Sequence, residues 1–147
     1  MAPLLHSPVC NKFPNVSVAV PHILVIDDNE DILESVAIVL RWNAMRVSTT
    51  LRMNDFAREI RTIYPDLILL DKALGWADGC DLCTGLKTDP AIRHIRVIML
   101  SAFRHVKEKC LSAGADAFLE KPFDLDELLQ LVYSFTGTGA PFARLPV

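Results

Sequence analysis

Short apolar runs alternate along the chain with segments whose apolar residues recur at helical spacing. Residues 23–26, 67–70 and 97–100 are apolar throughout, which is typical of strands buried on both faces of a parallel sheet. Shorter or less apolar stretches at 45–49 and 117–119 predict two further strands. The pattern therefore predicts five strands.

The segments that follow these strands predict five helices. Asn29 or Asp28 is expected to cap the first helix and Asp124 the last, because their side-chain oxygens can accept hydrogen bonds from free N–H groups. The second helix is predicted to stop before Pro65, and Gly114 to close the fourth. The apolar stripes are Ile32, Leu33, Val36, Val39 and Leu40; Phe56, Ala57, Ile60 and Ile63; Leu82, Cys83 and Leu86; Val106, Cys110 and Leu111; and Leu125, Leu128, Leu129 and Val132.

Strict alternation of strands and helices indicates a doubly wound α/β fold, with helices on both faces of a five-stranded parallel sheet. Residues 1–22 contain four prolines and no sustained period, so an N-terminal tail is predicted there. One domain is predicted over residues 23–137, followed by a short C-terminal tail at 138–147.

Composition narrows the classes of function. The 147 residues are 51% hydrophobic and 22% charged, as expected of a folded globular protein. Fifteen basic against eighteen acidic residues give a net charge of −3, which argues against general nucleic-acid binding. No apolar run is long enough for a membrane helix, and the N-terminus lacks the basic start of a signal peptide. The four scattered cysteines fit a reduced compartment, so a cytoplasmic location is expected.

Five polar residues stand at the carboxyl ends of the predicted strands. Asp27 and Asp28 follow the first strand, Asp71 the third, Ser101 the fourth and Lys121 the fifth. Ligands of doubly wound sheets bind at this edge, so these side chains are expected to converge. Three converging carboxylates repel one another unless a cation intervenes, and their oxygens suit Mg²⁺. With a lysine opposite, such a pocket suits phosphoryl transfer to an aspartate.

The motifs around these residues resemble those of response regulator receiver domains, in the same order and from about residue 23 to residue 136. They are Ile26-Asp27-Asp28, Leu70-Asp71, Leu100-Ser101-Ala102 and Glu120-Lys121-Pro122-Phe123. The resemblance implies a flavodoxin-like (βα)5 fold whose strands lie in the order 2-1-3-4-5.

The resemblance also implies a role for each residue of the site. Asp71 would accept a phosphoryl group from a histidine kinase, and Ser101 and Lys121 would bind the phosphoryl oxygens. Phe118 falls at the position of the aromatic residue that rotates when such domains switch. Four oxygen ligands of Mg²⁺ are implied: the carboxylates of Asp27, Asp28 and Asp71 and the backbone carbonyl of Ala73.

The sequence departs from the family pattern near Asp71. Gly75 stands where proline is frequent, and Lys72 stands where an apolar residue is usual. Ala73 and Phe103 occupy the two positions that tune dephosphorylation in this family. Neither side chain readily positions a water molecule, so a long-lived phosphoryl state is predicted.

The sequence therefore predicts a stand-alone receiver, which takes part in its own phosphorylation but is a signalling domain and not an enzyme. A sensor histidine kinase or a histidine phosphotransfer protein would supply the phosphoryl group. Phosphorylation would draw Ser101 inward and change the surface formed by the fourth helix, fifth strand and fifth helix. A protein partner would bind that surface, and no direct DNA binding is expected.

Two other functions stay open. A receiver-like binding module would use the same fold without switching on phosphorylation. A phosphohydrolase that works through an aspartyl phosphate usually needs a second acid two positions after its nucleophile, and here that residue is Ala73. A nucleotide-binding Rossmann domain is disfavoured, because the segment after the first strand is acidic and lacks glycine.

Overall fold

The computed structural model describes residues 19–137; residues 1–18 and 138–147, where most of the two predicted tails fall, lie outside the described residues. The central feature is a five-stranded parallel sheet in the order β2-β1-β3-β4-β5. Its strands are β1 His22–Ile26, β2 Arg46–Thr50, β3 Leu67–Asp71, β4 Arg96–Ser101 and β5 Ala117–Glu120. The predicted doubly wound, flavodoxin-like fold is confirmed.

Five helices follow the strands: α1 Glu30–Trp42, α2 Phe56–Ile63, α3 Gly79–Thr88, α4 Lys107–Ser112 and α5 Leu125–Thr136. The Asn29 and Asp124 side chains accept hydrogen bonds from the first turns of α1 and α5, so the two predicted caps are present. Gly114 adopts a φ of 103° beyond α4, a conformation that favours glycine at a helix end. Among the described residues, no helix is long and apolar enough to cross a membrane.

Each face of the sheet is covered by its own helices. α1 and α5 pack on the face that carries Ile23 and Val25, whereas α2, α3 and α4 pack on the face that carries Leu24 and Ile26. Because successive residues of a strand point to opposite faces, a strand between two helical layers must be apolar at every position. The continuous apolar runs in the sequence follow from this packing.

All five strands differ from the predicted ranges by one residue at one or both ends, and the segment after β3 contains an additional element. β1 begins at His22, one residue before the apolar run. His22 is buried, and both ring nitrogens have polar partners: Nε2 lies 2.7 Å from Ser48 Oγ and Nδ1 lies 2.9 Å from an Arg46 guanidinium nitrogen. After β3, the predicted loop contains a short hairpin, formed by Ala73–Leu74 and Ala77–Asp78, and α3 begins directly after it.

Candidate functional site

Three carboxylates meet at the carboxyl edge of the sheet. Asp71 is the last residue of β3, while Asp27 and Asp28 follow β1, the strand that pairs with β3. One carboxylate oxygen of each residue lies within 4.8 Å of the other two. Asp27 is fully buried, Asp71 is 5% exposed, and Asp28 is exposed to solvent. The structure thus brings the three predicted carboxylates together, with Asp28 on the solvent side.

Lys121 supplies positive charge to this cluster. It follows β5 directly, and its backbone N–H donates a hydrogen bond of 2.8 Å to the carbonyl of Ser101. Its Nζ lies 2.6 Å from Asp27 Oδ2 and 3.4 Å from Asp71 Oδ1. The ammonium group therefore contacts both buried carboxylates and offsets part of their mutual repulsion.

Burial raises the pKa of Asp71 to about 6. The charge of Lys121 lowers this pKa, the negative charge of Asp27 raises it, and hydrogen bonds from Lys121 and from the Ala73 backbone N–H lower it. Burial outweighs the favourable contacts, so the Asp71 carboxylate is more basic than an exposed aspartate. A more basic carboxylate is a better nucleophile, which suits Asp71 to accept a transferred group.

The segment after Asp71 is held by its own polar contacts. Lys72 turns away from the carboxylate cluster, and its Nζ lies 2.8 Å from Asp78 Oδ2 at the other end of the hairpin. The Gly79 N–H donates a hydrogen bond of 2.8 Å to the Lys72 carbonyl. A Cβ atom on Gly79 would lie 2.4 Å from the Asp71 carbonyl oxygen, so only glycine permits this approach of α3 to the end of β3.

The tip of the hairpin is anchored on its other side. Trp76 Nε1–H donates a hydrogen bond of 2.9 Å to the carbonyl of Leu51, which follows β2. A Cβ atom on the neighbouring Gly75 would lie 3.8 Å from Asp28 Oδ2, an ordinary contact distance. The hairpin therefore borders the carboxylate cluster, and hydrogen bonds hold it in place.

Trp76→Phe is expected to loosen this hairpin while keeping an aromatic ring at its tip. Loss of one hydrogen bond should lower the free energy of unfolding by about 0.5–1 kcal/mol. Hydrogen exchange should accelerate selectively at residues 73–78. Trp42→Phe is the matched control, because Trp42 is 70% exposed on α1 and its loss should leave exchange in the hairpin unchanged. Equal effects of the two substitutions would contradict the anchoring role.

The remaining predicted residues surround the cluster at different depths. Ser101, at the end of β4, is 1% exposed, and its Oγ accepts a hydrogen bond of 3.1 Å from the Phe103 N–H. Phe118 is half-buried on β5, beside Met99, and packs with the α2, α3 and α4 side of the core. Ala73 and Phe103 are exposed. The structure thus places Ser101 one residue beyond the β4 partner of Asp71, and the switch role of Phe118 stays a prediction.

Residues that position the site without taking part in it were missed at the level of sequence. Asp78 caps α3 by accepting a hydrogen bond from the Cys80 N–H. An aspartate just before a helical stripe is a recognisable cap signal, so the pair Asp78-Gly79 could have located the start of α3. The partner of Trp76 lies 25 residues away in sequence, and no local pattern indicates it.

Comparison with known proteins agrees with this geometry. The family model of the response regulator receiver domain matches residues 23–133. The chain belongs to this family. Receivers are phosphoacceptor signalling modules that bind Mg²⁺ in their active site, and they are not generally classed as enzymes.

Two relatives indicate how much of a longer protein the match covers. The transcriptional regulator RpaA of Synechocystis is 35% identical over 114 residues, which cover 76% of this chain and 47% of RpaA. The polar-differentiation response regulator DivK of Brucella anthropi is 30% identical over 124 residues, which cover 78% of this chain and 95% of DivK. The receiver thus spans about half the length of the transcriptional regulators that it matches, and nearly all of DivK.

A solved structure shares both the fold and part of the sequence. The receiver domain of the sensor histidine kinase PA1611 from Pseudomonas aeruginosa superimposes with a TM-score of 0.72 at 27% identity. The alignment covers 82% of this receiver and 100% of that chain, which has a magnesium ion coordinated in its active-site cleft.

Proposed function

We propose that this receiver accepts a phosphoryl group on Asp71, in a Mg²⁺-dependent reaction, from a phosphohistidine of a sensor kinase or a phosphotransfer protein. The observation that carries the proposal is the placement of Lys121 Nζ, within 3.4 Å of Asp71 and 2.6 Å of Asp27. A buried nucleophilic carboxylate beside a second carboxylate and an ammonium group is the arrangement that phosphoryl transfer to aspartate requires.

The residues present fit a magnesium ion. Three carboxylates and one ammonium group leave two negative charges, which a divalent cation would neutralise, and all three carboxylates offer the oxygen ligands that Mg²⁺ prefers. We assign the ion to Asp27, Asp28, Asp71 and the backbone carbonyl of Ala73. The magnesium bound by the PA1611 receiver supports this assignment. When bound, the ion would neutralise negative charge on the phosphoryl oxygens.

The chain's own groups supply the rest of the reaction. An Oδ atom of Asp71 attacks phosphorus in line with the phosphorus–nitrogen bond of the donor, which breaks and returns its electron pair to the imidazole. Lys121 exchanges its contact with Asp71 for one with a phosphoryl oxygen. The Ser101 hydroxyl accepts a hydrogen bond from Phe103 N–H, so its proton is available to donate to another phosphoryl oxygen.

The signal is proposed to leave through the surface of α4, β5 and α5. Phe118 lies in β5, Lys121 directly follows β5, and Ser101 ends the neighbouring strand. Movement of Ser101 toward a phosphoryl group therefore acts next to Phe118, whose half-buried ring is proposed to rotate inward. A protein partner would distinguish the two states of this surface, and this domain itself is not expected to bind DNA.

The proposed setting is a cytoplasmic receiver that acts without an output domain of its own. DivK, which consists almost entirely of the matched region, supports the second part by showing that a response regulator can be little more than a receiver. The cytoplasmic location rests on the expected donor, because a histidine kinase takes its phosphoryl group from ATP of the cytoplasm.

Labelling with a small phosphodonor tests the proposed function. With acetyl phosphate and Mg²⁺, the protein should gain the mass of one phosphoryl group, and reductive trapping should place it at residue 71. Excess chelator should reduce labelling at least about tenfold, because metal neutralisation of the phosphoryl oxygens is worth several kcal/mol.

Each alternative predicts another result in the same assay. A binding module that does not switch would remain unlabelled, or would bind its partner equally well with and without phosphodonor. A phosphohydrolase would turn over a phosphate ester many times per protein molecule. Labelling at a residue other than Asp71 would contradict the acceptor assignment.

The phosphoryl state is expected to be long-lived. Ala73 and Phe103 are exposed but carry no polar side-chain atom with which to orient a water molecule. Ala73→Asn should shorten the half-life of the aspartyl phosphate about tenfold, because an amide can position the attacking water. Phe103→Leu, which keeps its position apolar, should leave the half-life unchanged. Rapid loss of the label from the unmodified protein would contradict the prediction.

A further inference from the structure

Two thiols meet where α3 and α4 adjoin, next to the hairpin that follows Asp71. Sγ of Cys80, the second residue of α3, lies 3.2 Å from Sγ of Cys110 in α4. The two residues are 2% and 0% exposed. Because a disulfide bond is about 2.05 Å long, an approach of roughly 1 Å would join two helices that are distant in sequence.

Charged side chains surround the same junction. Asp78, the cap of α3, contacts Lys72 at 2.8 Å, and its Oδ2 lies 3.8 Å from Nζ of Lys109 in α4. The Lys72 ammonium lowers the pKa of the Cys110 thiol, whereas the Asp78 carboxylate raises it. Lys72 directly follows Asp71, so this residue connects the junction to the proposed phosphoacceptor.

Burial opposes the effect of Lys72 on the Cys110 thiol. Burial and the neighbouring Cys80 raise the pKa of Cys110 to about 12, so the Cys110 thiol should react slowly while α4 is packed. α4 is six residues long, however, and Cys110 is the residue that anchors it in the core. A short helix held by one buried side chain opens locally at low cost. Such openings would expose the pair to an oxidant.

We propose that Cys80 and Cys110 form a redox modification site, at which hydrogen peroxide converts the two thiols into a disulfide that ties α4 to α3. The first thiolate attacks a peroxide oxygen, the oxygen–oxygen bond breaks, and a sulfenic acid and one water form. The second thiolate attacks the sulfenic sulfur, the sulfur–oxygen bond breaks, and a second water leaves. Two thiols thus lose two electrons and two protons to one peroxide molecule.

The disulfide would act on the output of the receiver. α4 is part of the surface through which phosphorylation is proposed to signal, so this consequence rests on the proposed function. A covalent link to α3 restrains α4 while leaving the carboxylates and Lys121 in place. Phosphorylation of Asp71 should therefore continue in the oxidised protein, while the response of α4 is lost. In the cytoplasm, such a disulfide would be transient and serve as a redox sensor.

Oxidation of the full chain tests the formation of the disulfide. Cys10→Ser removes the one cysteine outside the described residues and serves as the starting protein. Treatment with graded hydrogen peroxide should lower its mass by two hydrogens. This mass is measured before the remaining free thiols are alkylated. Proteolysis should then release a linked peptide that contains Cys80 and Cys110. Dithiothreitol should restore both free thiols.

Cys83 provides the matched control. It is as deeply buried on α3 as the pair, and burial raises its pKa to about 11. Cys83→Ser should retain the Cys80–Cys110 link, whereas Cys110→Ser should lose it. The proposal is overturned if the two thiols stay reduced, if they are oxidised separately to sulfinic acids, or if Cys80 links to Cys83 instead.

Hydrogen exchange measured on the reduced and oxidised proteins tests the effect on α4. Phosphodonor should change exchange in residues 107–112 of the reduced protein, and this change should disappear in the oxidised protein although Asp71 is still labelled. An equal response in both forms would overturn the restraint of α4. If the reduced protein takes no label, the proposed function fails, whereas normal labelling without a cross-link overturns the redox site alone.

Discussion

Asp71→Asn is expected to abolish phosphoryl labelling completely while leaving the protein folded. Asparagine keeps the shape of the side chain at the end of β3 but offers no carboxylate oxygen for attack on phosphorus. Labelling with acetyl phosphate and Mg²⁺, measured by intact mass, checks this result. If the variant were labelled to a level comparable to that of the unmodified protein, another residue would be the acceptor.

The same substitution is expected to stabilise the protein at neutral pH in the absence of metal. The pKa of Asp71 is about 6 in the folded protein, against an ordinary value of 3.8. Between these two values the folded state binds more protons than the unfolded state, so stability falls as pH rises through this window. Above it, the ionised carboxylate lowers the free energy of unfolding by about 1–3 kcal/mol. Asparagine removes that cost.

Urea denaturation at several pH values can measure this difference. Asp71→Asn should be more stable than the unmodified protein at pH 7, and the two should converge below about pH 4, where Asp71 is protonated in both states. Saturating Mg²⁺ should also reduce the gap, because a ligand of the folded state stabilises the unmodified protein. Asp28→Asn is the matched control, since Asp28 is exposed and should change stability less. A less stable Asp71→Asn protein at pH 7 would contradict the prediction.

Gly79→Ala is expected to destabilise the protein by about 1–3 kcal/mol, the range found when atoms are forced into a packed interior. The added Cβ would lie 2.4 Å from the Asp71 carbonyl oxygen and 2.9 Å from the Lys72 Cα. Both obstructing atoms belong to the backbone, so relief requires that α3 and the end of β3 separate. Separation breaks the hydrogen bond from the Gly79 N–H to Lys72 and displaces Asp71, which should also weaken the proposed Mg²⁺ binding.

Gly85→Ala provides the control on the same helix. A Cβ at Gly85 meets no atom within 4 Å, so alanine there gains helix propensity without obstruction. We expect it to raise the free energy of unfolding by about 0.5–1 kcal/mol. Chemical denaturation of the two variants, with Mg²⁺ titration followed by thermal unfolding, measures both effects. If the two substitutions had the same sign, the close approach at Gly79 would not be the cause.

Structural features that depend on one short segment of the chain could be predicted from the sequence. The buried strands follow from continuous apolar runs, and the caps at Asn29 and Asp124 follow from local hydrogen bonding. The strand-end residues Asp27, Asp71 and Lys121 could be placed together because parallel strands present their carboxyl ends at one edge. Periodicity and topology together therefore located the site without any knowledge of side-chain contacts.

Contacts between residues that are distant in sequence could not be predicted from the sequence pattern. Lys72 is unusual beside Asp71 in the sequence, yet it pairs with Asp78 across a hairpin that the sequence pattern did not indicate. The contact between Cys80 and Cys110 needs the packing of α3 against α4, which alternation alone leaves open. Such contacts are decided by the separation and rotation of whole elements, and these are tertiary properties.

The contact of Lys121 with both buried aspartates has a consequence for the resting protein. The ammonium serves as a resident counter-ion, so the acidic pocket can assemble before any divalent cation arrives. The fold therefore does not depend on the metal: we expect depletion of magnesium to prevent the proposed phosphoryl transfer without unfolding the protein, although bound Mg²⁺ would add stability. On the proposed function, an incoming Mg²⁺ would enter a pocket that is already assembled, so the receiver would be ready to respond as soon as a donor appears.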